Sequence, residues 1–223
     1  DFDNTIEQAK ERFGRKVTVV QYPYNQGVDF NAIIDVHTMV MYQFGADGGK
    51  PEKLPIPESE MAKAQQLHNE LIEAIAENDE GLMEKFFEKG TLEEDEMVKG
   101  MMLSIRHHEL FPVFVASAKH NMGSGRIMGF IDKCCPSAAH MKPEKLTNGQ
   151  DLPCNTSNPT IAFVFKTVSE PHLGDMSFFK VCSGKVTAGI DLNNTNTGSP
   201  ERMTQLFILQ GKKRENVNEL NAG

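Results

Sequence analysis

The sequence predicts a multi-lobe chain of mixed α+β and α/β character. A helix-and-strand body fills the first two thirds, and an incomplete β-barrel fills the last third. Three observations lead there. Residues 58–105 carry apolar positions at the helical period between recognisable caps. Short β-branched and aromatic runs flank that stretch at Lys16–Tyr22, Asn31–Tyr42 and Phe111–Ala116. After Pro159 the pattern turns to strands joined by glycines, with no helical period.

Taken in order, Thr5–Arg12 reads as a short helix stopped by Gly14, and the runs at Lys16–Tyr22 and Asn31–Tyr42 read as strands punctuated by Pro23 and Gly27. Gly45–Pro57, rich in glycine and proline, reads as a loop. In Glu58–Glu77, Ala64, Leu67, Leu71, Ala74 and Ile75 share one helical face, while Glu70, Glu73 and Glu77 form a stripe about a third of a turn away. A second helix is expected over Glu80–Lys89, capped by Asn78 or Asp79 and ended by Gly90. Thr91-Leu92-Glu93-Glu94 fits a capping box that opens a third helix to Ile105. Phe111–Ala116 is a short strand, Ser117–Ser124 a polar turn, and Gly125–Cys134 a helix closed by Pro136. Residues 136–159 read as a linker or domain boundary. Thr160–Ser169, Met176–Ser183, Lys185–Asn193 and Arg202–Gln210 are the strand candidates beyond it.

Composition narrows the function classes. The 223 residues carry a net charge of −8, and thirteen carboxylates against three lysines fall between Glu58 and Glu96. The remainder is close to neutral. One lobe is therefore strongly acidic, which disfavours docking on phosphate backbones and favours a basic protein partner. No window approaches the roughly 18 apolar residues of a membrane span. The four cysteines show no C-x-x-C pair, and adjacent Cys134 and Cys135 are poorly placed to bridge each other, so free thiols in a reducing cytoplasm are expected. The opening Asp1-Phe2-Asp3-Asn4 has no initiator Met or targeting segment and reads as the start of a fragment.

Several motifs fail on inspection. Gly45-Ala46-Asp47-Gly48-Gly49-Lys50 lacks the first glycine and the Mg²⁺-binding Ser/Thr of a phosphate loop. Gly123-Ser124-Gly125 with Gly129 is one residue out of register for a dinucleotide fingerprint. His107-His108-Glu109 lacks a second helical ligand for zinc and suits a helix C-terminus. Met39, Met41, Met97, Met101 and Met102 are expected to fill core. Ser117-Ala118-Lys119 differs by its place, at the carboxyl end of an apolar strand and before a helix, where α/β folds put ligands. In guanine-nucleotide proteins a turn at this place offers backbone N–H groups to the guanine oxygen, and the amino group of adenine is rejected there. An ordinary strand-to-helix turn is the competing reading.

The order of segments resembles the elongation factor G family of translational GTPases along nearly the whole chain. Glu11-Arg12-Phe13-Gly14, Val17–Tyr22 and Asp29–Val36 resemble the start of that family's inserted lobe. Leu71–Glu77 and Leu82–Phe87 resemble its helices. Val113–Gly123 is similar to its last guanine-contact segment, and Cys135-Pro136-Ser137 to the close of its GTPase domain. Pro171–Val181, Ser183–Val186, Gly189 and Ala222-Gly223 resemble its second domain, and this string is the most specific part. Departures exist: Lys119-His120 follow Ser117-Ala118 directly, Lys180-Val181-Cys182 stands where Arg-Val-Tyr is usual, and Glu170 precedes Pro171 where Asp is usual. They suggest a divergent paralogue.

The resemblance implies a GTPase-domain helix over 1–16, an inserted lobe over 17–110, the end of the GTPase domain over 111–140, a linker over 141–158 and a partial second-domain barrel over 159–223. It implies a parent enzyme that hydrolyses GTP on the ribosome, in translocation and ribosome recycling, in the cytoplasm. GTP or GDP with Mg²⁺ would bind the parent. Its phosphate loop, switches and magnesium ligands would lie upstream, so the chain alone should bind no cofactor and be inactive. Ser117, Ala118 and Lys119 carry over as guanine-contacting positions, the first two mainly through backbone. Ribosomal RNA and the ribosomal stalk protein are the implied partners, and Glu70, Glu73, Glu77 and Glu80 are candidates to face the stalk, against the plain reading of a solvated helix face. Exposed strand edges suggest self-association. The alternatives are a related GTPase, such as peptide release factor 3 or a ribosome-protection protein, and a non-enzymatic protein-binding module with an acidic helical surface.

Overall fold

The computed structural model describes residues 1–170, 174–211 and 213–223. They fall into two compact units, Asp1–Pro136 and Ser137–Gly223.

The first unit opens with α1 (Phe2–Phe13), whose first amides at Asp3 and Asn4 are accepted by the Asp1 side chain. The single strand expected over Lys16–Tyr22 is two strands in different sheets. β1 (Val17–Val19) runs parallel to β6 (Phe111–Val113). β2 (Gln21–Pro23) begins an antiparallel sheet of order β2-β3-β4-β5 with β3 (Ala32–Asp35), β4 (Val40–Gln43) and β5 (Glu52–Leu54). Val20 is the crossing point: its N–H donates to Val113 O at 3.0 Å, and its carbonyl accepts from Val36 N at 3.0 Å. Every residue from Val17 to Tyr22 is buried, which is why the run shows no period-two alternation. β5 lies where a loop was expected. Its Glu-Lys-Leu sequence carries little strand signal, and its ladder with β4 recruits it.

Three helices follow the sheet in the chain. In α2 (Glu58–Ala76), Ala64, Leu71, Ile72, Ile75 and Ala76 are buried, and each large aliphatic side chain among them contributes roughly 1.5–3 kcal/mol by leaving water. α3 (Glu80–Lys89) is capped by Asp79, which accepts from Gly81 N and Leu82 N at 2.9 and 3.1 Å, and ends at left-handed Gly90. α4 (Glu94–Arg106) starts two residues later than a Thr91 cap would place it. The capping box is Glu93 with Glu96, the Glu96 carboxylate accepting from Glu93 N at 3.1 Å. Lys85 of α3 pairs with the same carboxylate, whose pKa it lowers below the ordinary value. Met41, Met97 and Met101 are buried in the core, and Met39 packs against it. α5 (Ser124–Cys134) closes the unit, with Phe130 and Cys134 buried.

Among its described residues the second unit forms strands and a 3-10 turn at Ala138–His140. β7 (Glu144–Lys145) pairs with β8 (Asp151–Leu152) inside the stretch expected as linker. β9 (Ile161–Glu170) and β10 (Gly174–Ser183) form a long antiparallel pair with two register shifts. β11 (Lys185–Thr187), β12 (Asp191–Asn193), β13 (Pro200–Arg202), β14 (Leu206–Gln210), β15 (Lys213–Val217) and β16 (Glu219–Asn221) pair as β11-β16, β12-β13 and β14-β15. Val181, Val186 and Leu206 are the buried centre. The run expected as one strand over Lys185–Asn193 breaks at Gly189, whose φ is +86°. Pro171, His172 and Leu173, the start of the most specific resemblance string, lie outside the described residues.

Candidate functional site

Ser117, Ala118 and Lys119 follow β6 and precede α5, beyond the carboxyl end of a strand with a parallel neighbour. The turn is closed by a two-way bridge, Ser117 N to Met122 O at 2.9 Å and Met122 N to Ser117 O at 3.0 Å, and tightened by Asn121 N donating to Ala118 O at 3.3 Å. Asn121 takes the left-handed conformation at φ 50°. Ala118 and Lys119 are exposed, and Ser117 is half-buried. The Ser117 N–H is thus engaged inside the turn, while Ala118 and Lys119 form its open tip.

What supports this turn was not legible in its own residues. Gly49 N donates to Asn121 O at 2.9 Å. Gly48, at φ +65°, lies so close that a Cβ there would stand 1.9 Å from His120 O and 2.8 Å from Asn121 O. The glycines that superficially evoked a phosphate loop therefore serve close backbone approach. Gly123, the helix N-cap at φ +85°, leaves 2.7 Å between a Cβ and Val115 O, which accounts for the first glycine of the rejected dinucleotide pattern. Met122 is buried with Ile33, Tyr42 and Phe44.

A polar cluster joins β2 and β3 to α5. The Asp35 carboxylate, 3% exposed, accepts from Gln21 Nε2 at 2.8 Å and from Arg126 Nη2 at 3.3 Å. Its other oxygen accepts from Thr38 N at 3.0 Å and Thr38 Oγ1 at 3.1 Å. The Arg126 guanidinium also lies 4.1 Å from the centroid of the buried Tyr42 ring. A pocket of about 70 Å³ opens alongside, lined in part by Gln21, His37, Arg126 and Lys133. Gln21 Oε1, His37 Nε2 and Arg126 Nε are buried there without a protein partner among the described residues. Burial holds His37 below its ordinary pKa, against the opposing pull of Asp35 and Glu94. Sequence offered two signals for this cluster, the first a charged Asp35 ending the apolar run Ala32–Ile34. An arginine at the start of a helix, against the dipole, was the second.

The acidic stripe meets partners within its own unit. Glu70 lies 3.9 Å from Lys10, and Glu77 3.7 Å from Arg15. Both pairs are exposed and long, so each contributes little to stability. Lys16 pairs with Glu109 at 2.8 Å and lowers that carboxylate's pKa. These groups and Glu73 line a polar groove of about 330 Å³. Glu73 and Glu80 are exposed, but Glu80 sits on α3, outside that groove. The structure therefore groups Glu70, Glu73 and Glu77 and leaves Glu80 apart. Among the described residues, no group of three or more His, Cys, Asp or Glu is placed to hold a metal ion.

Residues 159–223 match the family model for elongation factor G domain 2. All of the chain aligns with elongation factor G of Mycoplasma genitalium (strain ATCC 33530 / DSM 19775 / NCTC 10195 / G37), at 28% identity over 230 residues. The chain is similar to elongation factor G along its whole length. It spans 33% of that relative's length. A protein from Thermus thermophilus, known from its crystal structure, shares the fold across the whole chain, with a TM-score of 0.81, 24% identity and 31% of its own length covered. Residues 159–223 thus carry the pattern of elongation factor G domain 2, and the likeness to elongation factor G extends over the rest of the chain.

Proposed function

We propose that this chain is part of a GTP-hydrolysing translation factor that acts on the ribosome in translocation and recycling, in the cytoplasm. Within it, the Ser117–Lys119 turn contacts the guanine base. The observation that carries this reading is the exposed tip at Ala118 and Lys119, beyond a parallel-paired strand and ahead of a helix N-terminus. An open tip of this kind can offer backbone donors to the guanine carbonyl, with the Lys119 stem along the base. GTP or GDP, with Mg²⁺, is the proposed ligand of the whole protein, its phosphates and metal served by residues other than those of this turn. A fluorescent guanine-nucleotide titration of the full gene product tests the reading. Saturable binding of GDP, with much weaker binding of ADP, is expected. No binding would favour the rival, a protein-binding module without nucleotide chemistry.

The acidic lobe supports a second proposal, contact with the ribosomal stalk protein through Glu70, Glu73, Glu77 and Glu80. Glu73 and Glu80 are exposed, and neither is drawn into the ion pairs that hold Glu70 and Glu77, so they carry most of the expected steering. An association rate that stayed constant between low and physiological ionic strength would count against it. Ribosomal RNA is the proposed second contact. Self-association through a strand edge, for which the exposed Phe163 and Phe165 of β9 are the best support, would show as concentration-dependent mass by light scattering.

A further inference from the structure

We infer that Gly48, Gly49 and Arg126 are positioning residues for the guanine-contact turn, an inference that rests on the reading of Ser117–Lys119 given above. Strand β6 ends at Val113, and the turn's own hydrogen bonds link only Ser117, Ala118, Asn121 and Met122. Such a small closed turn needs outside support to hold a fixed height. That support comes from the β3–β4 hairpin and the loop after it. Gly49 N holds the Asn121 carbonyl at 2.9 Å, and the bare Cα of Gly48 admits the His120 carbonyl to a place any side chain would fill. Gly48 N donates to Gly45 O at 3.0 Å and fixes the loop that carries both contacts. Met122 is clasped by Ile33, Tyr42 and Phe44.

Arg126 acts from the other side. Its N–H donates to Gly123 O at 3.0 Å, the last residue before α5. Its guanidinium is fixed between the Asp35 carboxylate on β3 and the Tyr42 ring on β4. The C-terminal side of the turn, residues 120–126, is therefore registered to the β3–β4 hairpin and the loop after it. A sub-ångström shift of donors against a carbonyl oxygen weakens that hydrogen bond steeply, so the sheet sets how well guanine is told from adenine.

The test compares GDP and ADP affinities of the full gene product, by fluorescent-analogue titration, for wild type, Gly48→Ala and Arg126→Met. Gly129→Ala, with open space around the new methyl, is the control. Gly48→Ala is expected to weaken GDP binding tenfold or more and to leave ADP binding unchanged, so that the preference ratio falls. Arg126→Met should lower the same ratio by a smaller factor, and Arg126→Lys should restore part of it. A ratio equal to wild type in folded Gly48→Ala and Arg126→Met overturns the inference and leaves the guanine reading standing. No GDP binding by wild type takes both down. Should neither variant fold, amide exchange in the wild-type protein decides: GDP must slow Gly49 along with Ala118 and Lys119. Slowing confined to the turn would refute the coupling.

Discussion

Replacing Asp35 by Asn gives the sharpest test of what holds the first unit together. The wild-type carboxylate takes four donors, from Gln21, Arg126 and two groups of Thr38. An amide keeps an acceptor for Thr38 but presents N–H groups to Gln21 Nε2 and Arg126. Removing one partner of a buried ion pair costs about 3–5 kcal/mol. Arg126 is one-third exposed at its side chain and can rehydrate in part, so about 2–4 kcal/mol is expected here. Arg126→Met leaves the buried Asp35 carboxylate its other three donors and should cost about 1.5–3 kcal/mol, the value of a hydrogen bond to a charged group. The double variant should cost less than the sum, because the two groups share one contact. The assay is convenient, since Tyr22, Tyr24 and Tyr42 are the only tyrosines, tryptophan is absent, and all three lie in or beside the β2–β5 sheet. Tyrosine emission in urea therefore reports on the first unit alone. With a slope of roughly 1–3 kcal/mol per molar urea, Asp35→Asn should lower the midpoint by about 1 M or more. A midpoint within about 0.3 M of wild type, or strict additivity in the double variant, would refute this account of the cluster.

Other outcomes follow from individual side chains. His37 has a folded pKa below its unfolded value of 6.5. The unfolded chain then binds more protons as pH falls through the unfolded pKa, so stability is full above that value and declines below it. His37→Asn should flatten the fall in unfolding midpoint between pH 7.5 and 5.5, and an unchanged slope would exclude His37 as its source. The Cys134 thiol is pushed up to about 11 by burial. Thiol titration of the folded chain at pH 8 should spare Cys134 and modify half-exposed Cys154 and Cys182, with Cys134 reacting only after denaturation. Gly100 of α4 leaves 2.2 Å between a Cβ and Ile75 Cγ2, and 2.7 Å to Leu82 Cδ1. Gly100→Val should destabilise by about 2–3 kcal/mol through overpacking, despite better helix propensity. A rise in thermal midpoint would show that α2 and α4 separate at little cost.

The helices were legible because their signals are local. Asp79, Gly90 and the apolar face of α2 announce themselves within a few residues. The α4 cap was displaced by two residues because both Thr91 and Glu93 precede a carboxylate at the right spacing, and only packing chooses between them. The sheets were less legible. A run buried on all sides, such as Val17–Tyr22, shows no periodicity to mark its division, and β5 has weak strand propensity of its own. The turn at Ser117–Lys119 was found from its place in the order of elements. Its supports were not found, because Gly48 and Gly49 are nearly 70 residues away and glycine carries no sign of what approaches it.

Val20 has a practical consequence. Its backbone belongs to two ladders at once, giving its N–H to the parallel pair and its carbonyl to the antiparallel sheet. The junction is a shared rung and not a flexible stalk, so the two ladders should open to solvent together, with matching exchange rates at Val20 and Val36. Anyone excising the β2–α4 module would have to cut downstream of that rung and regraft onto it, since a scission at Val17 removes a strand from the remaining scaffold.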